Sequence, residues 1–384
     1  MLYRISNKTT KGFSNRTTDM KTLKIFVDCH VFDGNFQGTT TYLKGLYSEL
    51  LKDKNTQFFF GAYNTAFLKT IFGVHDNLTY VSYIAKNKFY RLLFDIPRII
   101  KKKKIDYAHF QYIVPPIKAC KYIVTIHDVL FLDFPEYFPL SYRLKNKFLF
   151  KTSAKRSDLV LTVSEYSKQQ IQKHFDIEKV TITSNAIDSV YYEEYNKNEV
   201  QKQVREKFNA TNYFLYVSRW EPRKNHDRLL KAFVENKCYK TYSLVFVGDK
   251  TIENKVYNHY YASLPDKIKA TILSFNNVNY QDLILLVRGS ALSIYPSIAE
   301  GFGIPPLESL AARIPTICSN TTAMADFQFF GDCLFNPLDL TDLKNKIEIG
   351  LKDTQIDQKR NQMETKFTWQ FAAEQFKKAI SQSY

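Results

Sequence analysis

Residues Ser293 to Asn320 read SIYPSIAEGFGIPPLESLAARIPTICSN. The stretch divides into a strand, a turn, a helix and a second strand. An apolar run ends at Tyr295, and Glu300-Gly301-Phe302-Gly303 form a turn with free backbone N–H groups. Pro305 and Pro306 then start a helix, where proline is tolerated because its missing N–H has no intrahelical acceptor. Glu308 is expected in that helix's first turn, and PTICSN supplies the next strand. A glycine turn feeding a helix N-terminus is an anion site by geometry, since both the free amides and the helix dipole favour phosphate there. Phosphate alone does not need two flanking carboxylates. Glu300 and Glu308 make sense as acceptors from hydroxyls, as on a sugar and a ribose. The plainer alternative is a helix cap beside a solvated glutamate.

The same strand–helix logic runs outward in both directions. Strands are expected at LKIFVDC (23–29), QFFFGAY, LTYVSYI, DYAHFQ, KYIVTIH and DLVLTVS, then NYFLYVS, YSLVFVGD, ATILSF and ALSIYPS. After the first strand comes the loop DGNFQGTT, then a helix with Leu43, Leu46, Leu50 and Leu51 at helical spacing. A second helix is expected over His226–Glu235, with Leu229, Leu230, Phe233 and Val234 inward. Strands alternating with helices predict parallel sheets covered on both faces, which is an α/β fold. A polar stretch near 188–208 divides the pattern into two halves. Residues 22–190 read as an N-terminal Rossmann-like acceptor domain and 191–366 as a C-terminal donor domain, with a cleft between them at the carboxyl ends of the strands.

A second segment, SRWEPRKN at Ser218–Asn225, follows a strand and precedes a helix. Arg219 and Lys224 therefore sit on a strand-end loop facing the cleft. Arg as a fork and Lys as a point charge can neutralise a diphosphate. Surface basicity in a basic chain is the competing explanation.

Composition sets the outer limits. The chain has 384 residues, 45% hydrophobic and 24% charged, enough for two domains. Its formal net charge is +16, from 54 Lys and Arg against 38 Asp and Glu. That favours anionic partners, although an AT-rich coding sequence would also produce it. Cys29, Cys120, Cys238, Cys318 and Cys333 are scattered with no C-x-x-C pair, which argues against a disulfide framework or zinc site and for a reducing compartment. No apolar run is long enough to span a bilayer, and no signal peptide is expected from the polar residues 1–20. Residues 1–21 read as a disordered tail or an upstream mis-start.

Taken together, these segments resemble the retaining GT-B glycosyltransferases of family 4. The E-x7-E signature matches Glu300 and Glu308, and the Arg-x4-Lys clamp matches Arg219 and Lys224. TIHDV at Thr125–Val129, VSEYSKQQI at Val163–Ile171 and FTWQFAAEQF with Trp369 match further family segments, over about residues 22–384. HDVLFLDFPEYFP is most similar to the mannosyltransferase branch acting on bacterial surface polysaccharides. The family pattern is broken at Ala325-Asp326 (often Pro-Glu), at Ala186 (often Gly), and in the first loop, which has only Gly34 and Gly38.

The resemblance implies two Rossmann-like domains facing a cleft, with residues 367–384 forming a helix that crosses back to the first. It implies that Arg219 and Lys224 hold the donor diphosphate, that Glu300 and His127 act at the transferred sugar, and that Glu308 binds the ribose. Gly38, Phe302, Gly303 and Ile304 complete the donor-binding set, and Asp128 lies on the acceptor side. The substrates implied are a nucleotide-diphosphate sugar, GDP-mannose favoured over a UDP-hexose, and a glycan or lipid-linked acceptor. No D-x-D occurs, so no metal and no cofactor are expected, with Arg219 and Lys224 taking the metal's electrostatic place.

Other function classes fit less well. A nucleic-acid binder explains the charge but not the two glutamates. A dinucleotide oxidoreductase needs G-x-G-x-x-G after a strand, which the first strand lacks. A sugar-nucleotide epimerase shares the fold class. Finally, residues 86–104 (KNKFYRLLFDIPRIIKKKK) and 137–157 interleave basic and aromatic side chains. They point to a cytoplasmic protein docked peripherally on an anionic inner membrane face. If the aromatics are instead core, that reading loses its anchor.

Overall fold

The computed structural model describes residues 22–34, 38–250 and 252–383. The expected tail, 1–21, lies outside the described residues. Two parallel sheets carry the chain. The first contains β1 (Leu23–Asp28), β2 (Thr56–Ala62), β3 (Leu78–Ser82), β4 (Tyr107–Gln111), β5 (Lys121–Thr125), β6 (Leu159–Thr162) and β7 (Thr181–Ile182), ordered β3-β2-β1-β4-β5-β6-β7. The second contains β8 (Tyr213–Val217), β9 (Ser243–Val247), β10 (Ile272–Phe275), β11 (Leu292–Tyr295), β12 (Thr316–Ser319) and β13 (Leu334–Phe335), ordered β10-β9-β8-β11-β12-β13. Every registered pairing is parallel.

Both orders reverse at a central pair, β1/β4 in the first sheet and β8/β11 in the second. Such a reversal opens a crevice at the carboxyl ends of the strands, where ligands bind. The expected strands all form, trimmed by a residue or two at their ends. The expected polar linker contains a helix, Lys197–Phe208, whose Val200 and Val204 are buried.

The helix Gly38–Leu50 buries Leu43, Leu46 and Leu50 as their spacing predicts. The helix Trp369–Ser381 returns to the first sheet's side and lies against it. The Trp369 ring fills the space that the missing side chain of Gly45 leaves, where a Cβ would come within 1.9 Å of it. Phe376 reaches Tyr47 with ring centroids 6.0 Å apart. Among the described residues no helix is long and apolar enough to cross a membrane.

Candidate active site

The two informative loops leave neighbouring strands. Ser218–Asn225 follows β8, and Pro296–Gly303 follows β11. Both therefore emerge at the second sheet's reversal point. The first is pinned from below. Asn225 takes a left-handed conformation, φ +62°, and donates to the carbonyls of Pro296 (3.0 Å) and Pro337 (2.8 Å). The buried Tyr216 hydroxyl donates to the Lys224 carbonyl at 2.8 Å. The Ile298 amide donates to the Arg223 carbonyl at 2.8 Å and ties one loop to the other.

A chain of alternating charges results. Arg219 Nη2 lies 3.2 Å from Glu221 Oε1, and Arg223 Nη2 lies 2.7 Å from Glu221 Oε2. Arg223 Nη1 then reaches Glu300 Oε2 at 3.3 Å and the Ala299 carbonyl at 2.6 Å. Lys224 Nζ holds the other Glu300 oxygen. Burial pushes the Glu300 carboxyl up, but the adjacent Lys224 and Arg223 outweigh it and bring it down to about 2. Lys224 and Glu300, expected on separate strand-end loops, meet as an ion pair. Arg219 stands apart: its side chain is 54% exposed and turns to Glu221. Arg223, which the sequence reading passed over, occupies the centre of the chain.

The turn itself is sterically determined. Gly303 has φ +100°, and a Cβ on it would lie 2.9 Å from Met324 Cγ. The Phe302 ring packs on Phe327 and Phe367, with centroids 5.8 and 5.5 Å away, so only its amide is available to a ligand. The Glu300 amide is already used, donating to Thr322 Oγ1 at 2.9 Å. The amides of Gly301, Phe302 and Gly303 have no acceptor among the described residues. The helix runs Ile304–Ala311, which corrects one expectation: Glu308 lies on its second turn. The left-handed Gly303 caps the helix, which therefore starts at Ile304, one residue before the prolines, and this displaces Glu308 along it. Glu308 is half-buried with no cation in contact among the described residues, and burial, with the negative charge of Asp188 second, pushes its carboxyl up to about 8.

The first domain closes over this turn. Ser164 and Ser167, at the start of helix Glu165–Phe175, donate their hydroxyls to the Gly301 carbonyl at 2.8 and 3.2 Å. Asp128 packs so closely on Gly301 that a Cβ there would lie 2.8 Å from the Asp128 side chain. Burial raises the Asp128 carboxyl, and Arg223 across the cleft opposes it. His127 lies beside it, just beyond β5. Its Nε2 bonds Gln111 Oε1 at 2.7 Å, and its ring meets Tyr42 edge-on at 5.0 Å. Burial pushes the imidazole down to about 3, so His127 is neutral, with Nδ1 left as an acceptor. Gly38 opens the helix Gly38–Leu50, and a Cβ on it would meet nothing within 4 Å. Among the described residues no group of three His, Cys, Asp or Glu could hold a metal ion.

The site thus presents unused amides at a helix N-terminus, two largely buried cations gripping a carboxylate, and a neutral histidine next to the Asp128 that packs on the turn. Residues 197–367 match the family described as Glycosyl transferases group 1, and residues 38–190 the one described as Glycosyltransferase Family 4. The chain is 33% identical to the Salmonella typhimurium O-antigen chain mannosyltransferase RfbU, over 56% of this chain and 57% of that protein. It is 27% identical to the O-antigen chain mannosyltransferase B of Escherichia coli, over 65% of this chain and 67% of that protein. Its fold matches the crystal structure of Anabaena HepE in complex with UDP and glucose, with TM-score 0.69, 17% identity, and coverage of 94% of this chain and 100% of that one. Matched in both halves, the chain belongs to the group 1 and family 4 glycosyltransferases, and its paired sheets are the GT-B fold.

Proposed function

We propose that this chain is a retaining hexosyltransferase drawing on a nucleotide-diphosphate sugar. GDP-mannose is the favoured donor and a UDP-hexose the alternative. The acceptor is a glycan or lipid-linked glycan in surface polysaccharide synthesis, reached from the cytoplasmic face of the membrane. The observation that carries the reading is the Lys224–Glu300–Arg223 ion-pair unit beside the unused Phe302 and Gly303 amides. O-antigen mannosyltransferases among the relatives support the sugar and the pathway class.

In this reading Arg219 swings from Glu221 onto the diphosphate, which Lys224 and the turn amides also hold. Glu300 accepts hydroxyls of the sugar, Glu308 accepts those of the ribose, and Gly38 lets the first helix approach the phosphates. The sugar C1–O bond breaks, the departing phosphate oxygen takes the proton of the acceptor hydroxyl, and that hydroxyl forms the new bond on the same face. His127 faces the sugar and Asp128 the acceptor. The protein supplies position and charge, not a nucleophile.

A thermal-shift screen against GDP-mannose, UDP-glucose, UDP-galactose and UDP-GlcNAc tests the donor, since a ligand specific to the folded state raises its melting temperature by mass action. GDP-mannose should give the largest shift. Transfer should persist in EDTA. Activity that disappears in EDTA and returns with magnesium would overturn the metal-free part, and no shift with any donor would overturn the whole.

A further inference from the structure

The first sheet has its own reversal point, between β1 and β4, and the donor loops do not occupy it. β1 ends there at Asp28, which is 1% exposed. Its carboxylate accepts from the Tyr83 hydroxyl at 2.7 Å and lies 3.1 Å from His30 Nδ1 and 3.5 Å from Arg91 Nε. Arg91 comes from a helical segment with a defect: residues Lys88–Tyr90 and Ile96–Lys103 are α-helical, but Arg91–Asp95 form a wider π turn. Single π turns of this kind recur at functional sites because they re-aim side chains.

The Arg91 side chain is 8% exposed, and none of its N–H groups hydrogen-bonds to a described residue. A buried guanidinium is costly unless its donors are used. One carboxylate does not balance the charge gathered here. Lys88 is pushed down by burial, then by the positive charges of Arg91 and of Lys145 from helix Leu140–Arg156, and Asp28 opposes them only in part. Asp95, the acid on the same segment, is engaged elsewhere, by the Ile84 amide at 2.9 Å and by Arg98 at 4.0 Å. The site therefore carries surplus positive charge and unused donors, which is the chemistry of a phosphate pocket. Beside it on the same two segments, Phe89 (73% exposed), Phe94 (59%), Leu144 (62%) and Phe148 (71%) face outward. An anion bound here sits next to an apolar surface.

We propose that Arg91, Lys88, Lys145 and His30 form a subsite for the phosphate or diphosphate of a lipid-linked acceptor. The proposal rests on the reading above that the acceptor is lipid-linked, and it names the group by which the lipid carrier is held.

The test uses the full chain saturated with GDP, or with UDP if GDP does not bind, so that the donor phosphate site is filled. Inorganic pyrophosphate is titrated calorimetrically. The Lys88→Ala/Lys145→Ala double variant should weaken pyrophosphate binding roughly tenfold or more while nucleotide affinity stays unchanged. Arg91→Lys, which keeps the charge beside Asp28, should weaken it too by losing the fork. Unchanged pyrophosphate affinity in these variants overturns the proposal, and so does a loss confined to Arg219→Ala, which would put the anion in the donor site. A second arm separates the sources of phosphate. Phosphatidylcholine vesicles containing a polyprenyl diphosphate should bind more tightly than vesicles with phosphatidylglycerol at equal charge, and the double variant should erase that difference. Equal binding to both vesicles, in wild type and variant, overturns the specific pocket. Failure of every nucleotide to bind would sink the donor assignment, yet the pyrophosphate titration would still read this one.

Discussion

Glu300 and Glu308 belong to one turn and one helix, and their surroundings drive them in opposite directions. Two cations hold Glu300 down to about 2, whereas burial without a cation holds Glu308 up to about 8. For Glu308 the folded state keeps a proton that the unfolded chain has released. Stability therefore falls as pH rises from the ordinary carboxylate range to about 8. Glu308→Gln should flatten that decline, read as melting temperature between about pH 5 and pH 8.5. An unchanged slope would mean that Glu308 is already ionised. In kinetics the two should separate as well. Glu308→Gln should mainly raise the donor KM, and Glu300→Gln should mainly lower kcat, because only the second contact tightens at the reacting sugar. Arg219→Ala should cost on the order of 100-fold in kcat with the fold intact. Near-normal turnover would return Arg219 to the surface, where its exposure already lets it stand in the free protein. Glu300 and Glu308 stood out in the sequence because carboxylates are odd beside an anion turn, and Arg219 and Lys224 through the Arg-x4-Lys resemblance. Of these four the structure pairs Lys224 with Glu300, while Arg219 turns to Glu221. Arg223 did not stand out, since a basic residue in a basic loop looks like ordinary surface charge until Glu221 and Glu300 are seen on either side of it. The Asp28–Arg91 pair was hidden for a different reason: its members come from distant segments and share no spacing rule.

At the level of elements, hydrophobic periodicity carried most of the fold. The uninterrupted apolar runs Ile25–Val27 in β1, Phe58–Phe60 in β2, Tyr213–Val217 in β8 and Leu244–Val247 in β9 could be read directly, and so could the inward leucines of the helix Gly38–Leu50. β7 and β13 could not, because two residues carry no periodicity and exist only through their neighbours. The crossing helix Trp369–Ser381 depends on a single small residue facing it. A Cβ on Gly45 would lie 1.9 Å from the Trp369 ring. Gly45→Ala should therefore displace the ring and cost about 1–3 kcal/mol, as overpacking of a filled core does. A helix residue exchanged from Gly to Ala normally gains stability, so the sign alone is diagnostic. Urea unfolding of the variant would decide it, and a midpoint at or above the wild-type value would show that the crossing helix is loosely held.

For the molecule as a whole, the surplus of positive charge has a specific location. The formal charge is +16, and the exposed apolar side chains of the first domain lie among lysines. Part of the competing explanation, that the apolar side chains of these segments are core, holds: Leu92 and Phe150 are buried. The rest fails, because Phe89, Phe94, Leu140, Leu144 and Phe148 are each more than half exposed among the described residues. Leu140, Leu144 and Phe148 fall on one side of the helix Leu140–Arg156, and the positive charge of Lys145 on that helix is felt by Lys88 at the start of the Phe89–Phe94 segment. A basic residue near an anionic membrane contributes about 1 kcal/mol, and aromatic side chains settle at headgroup depth, so a few aligned residues are enough for reversible docking. We therefore expect co-sedimentation with phosphatidylglycerol vesicles that grows with anionic lipid. It should weaken as salt shortens the screening length from about 10 Å at 0.1 M. Lys101 to Lys104 exchanged for Ser should reduce the salt-sensitive part. Phe89→Ser with Phe148→Ser should instead reduce the part that survives salt, because inserted rings are not screened. Protein that stays in the supernatant with anionic vesicles at low salt would end the docking idea and direct attention to a water-soluble acceptor.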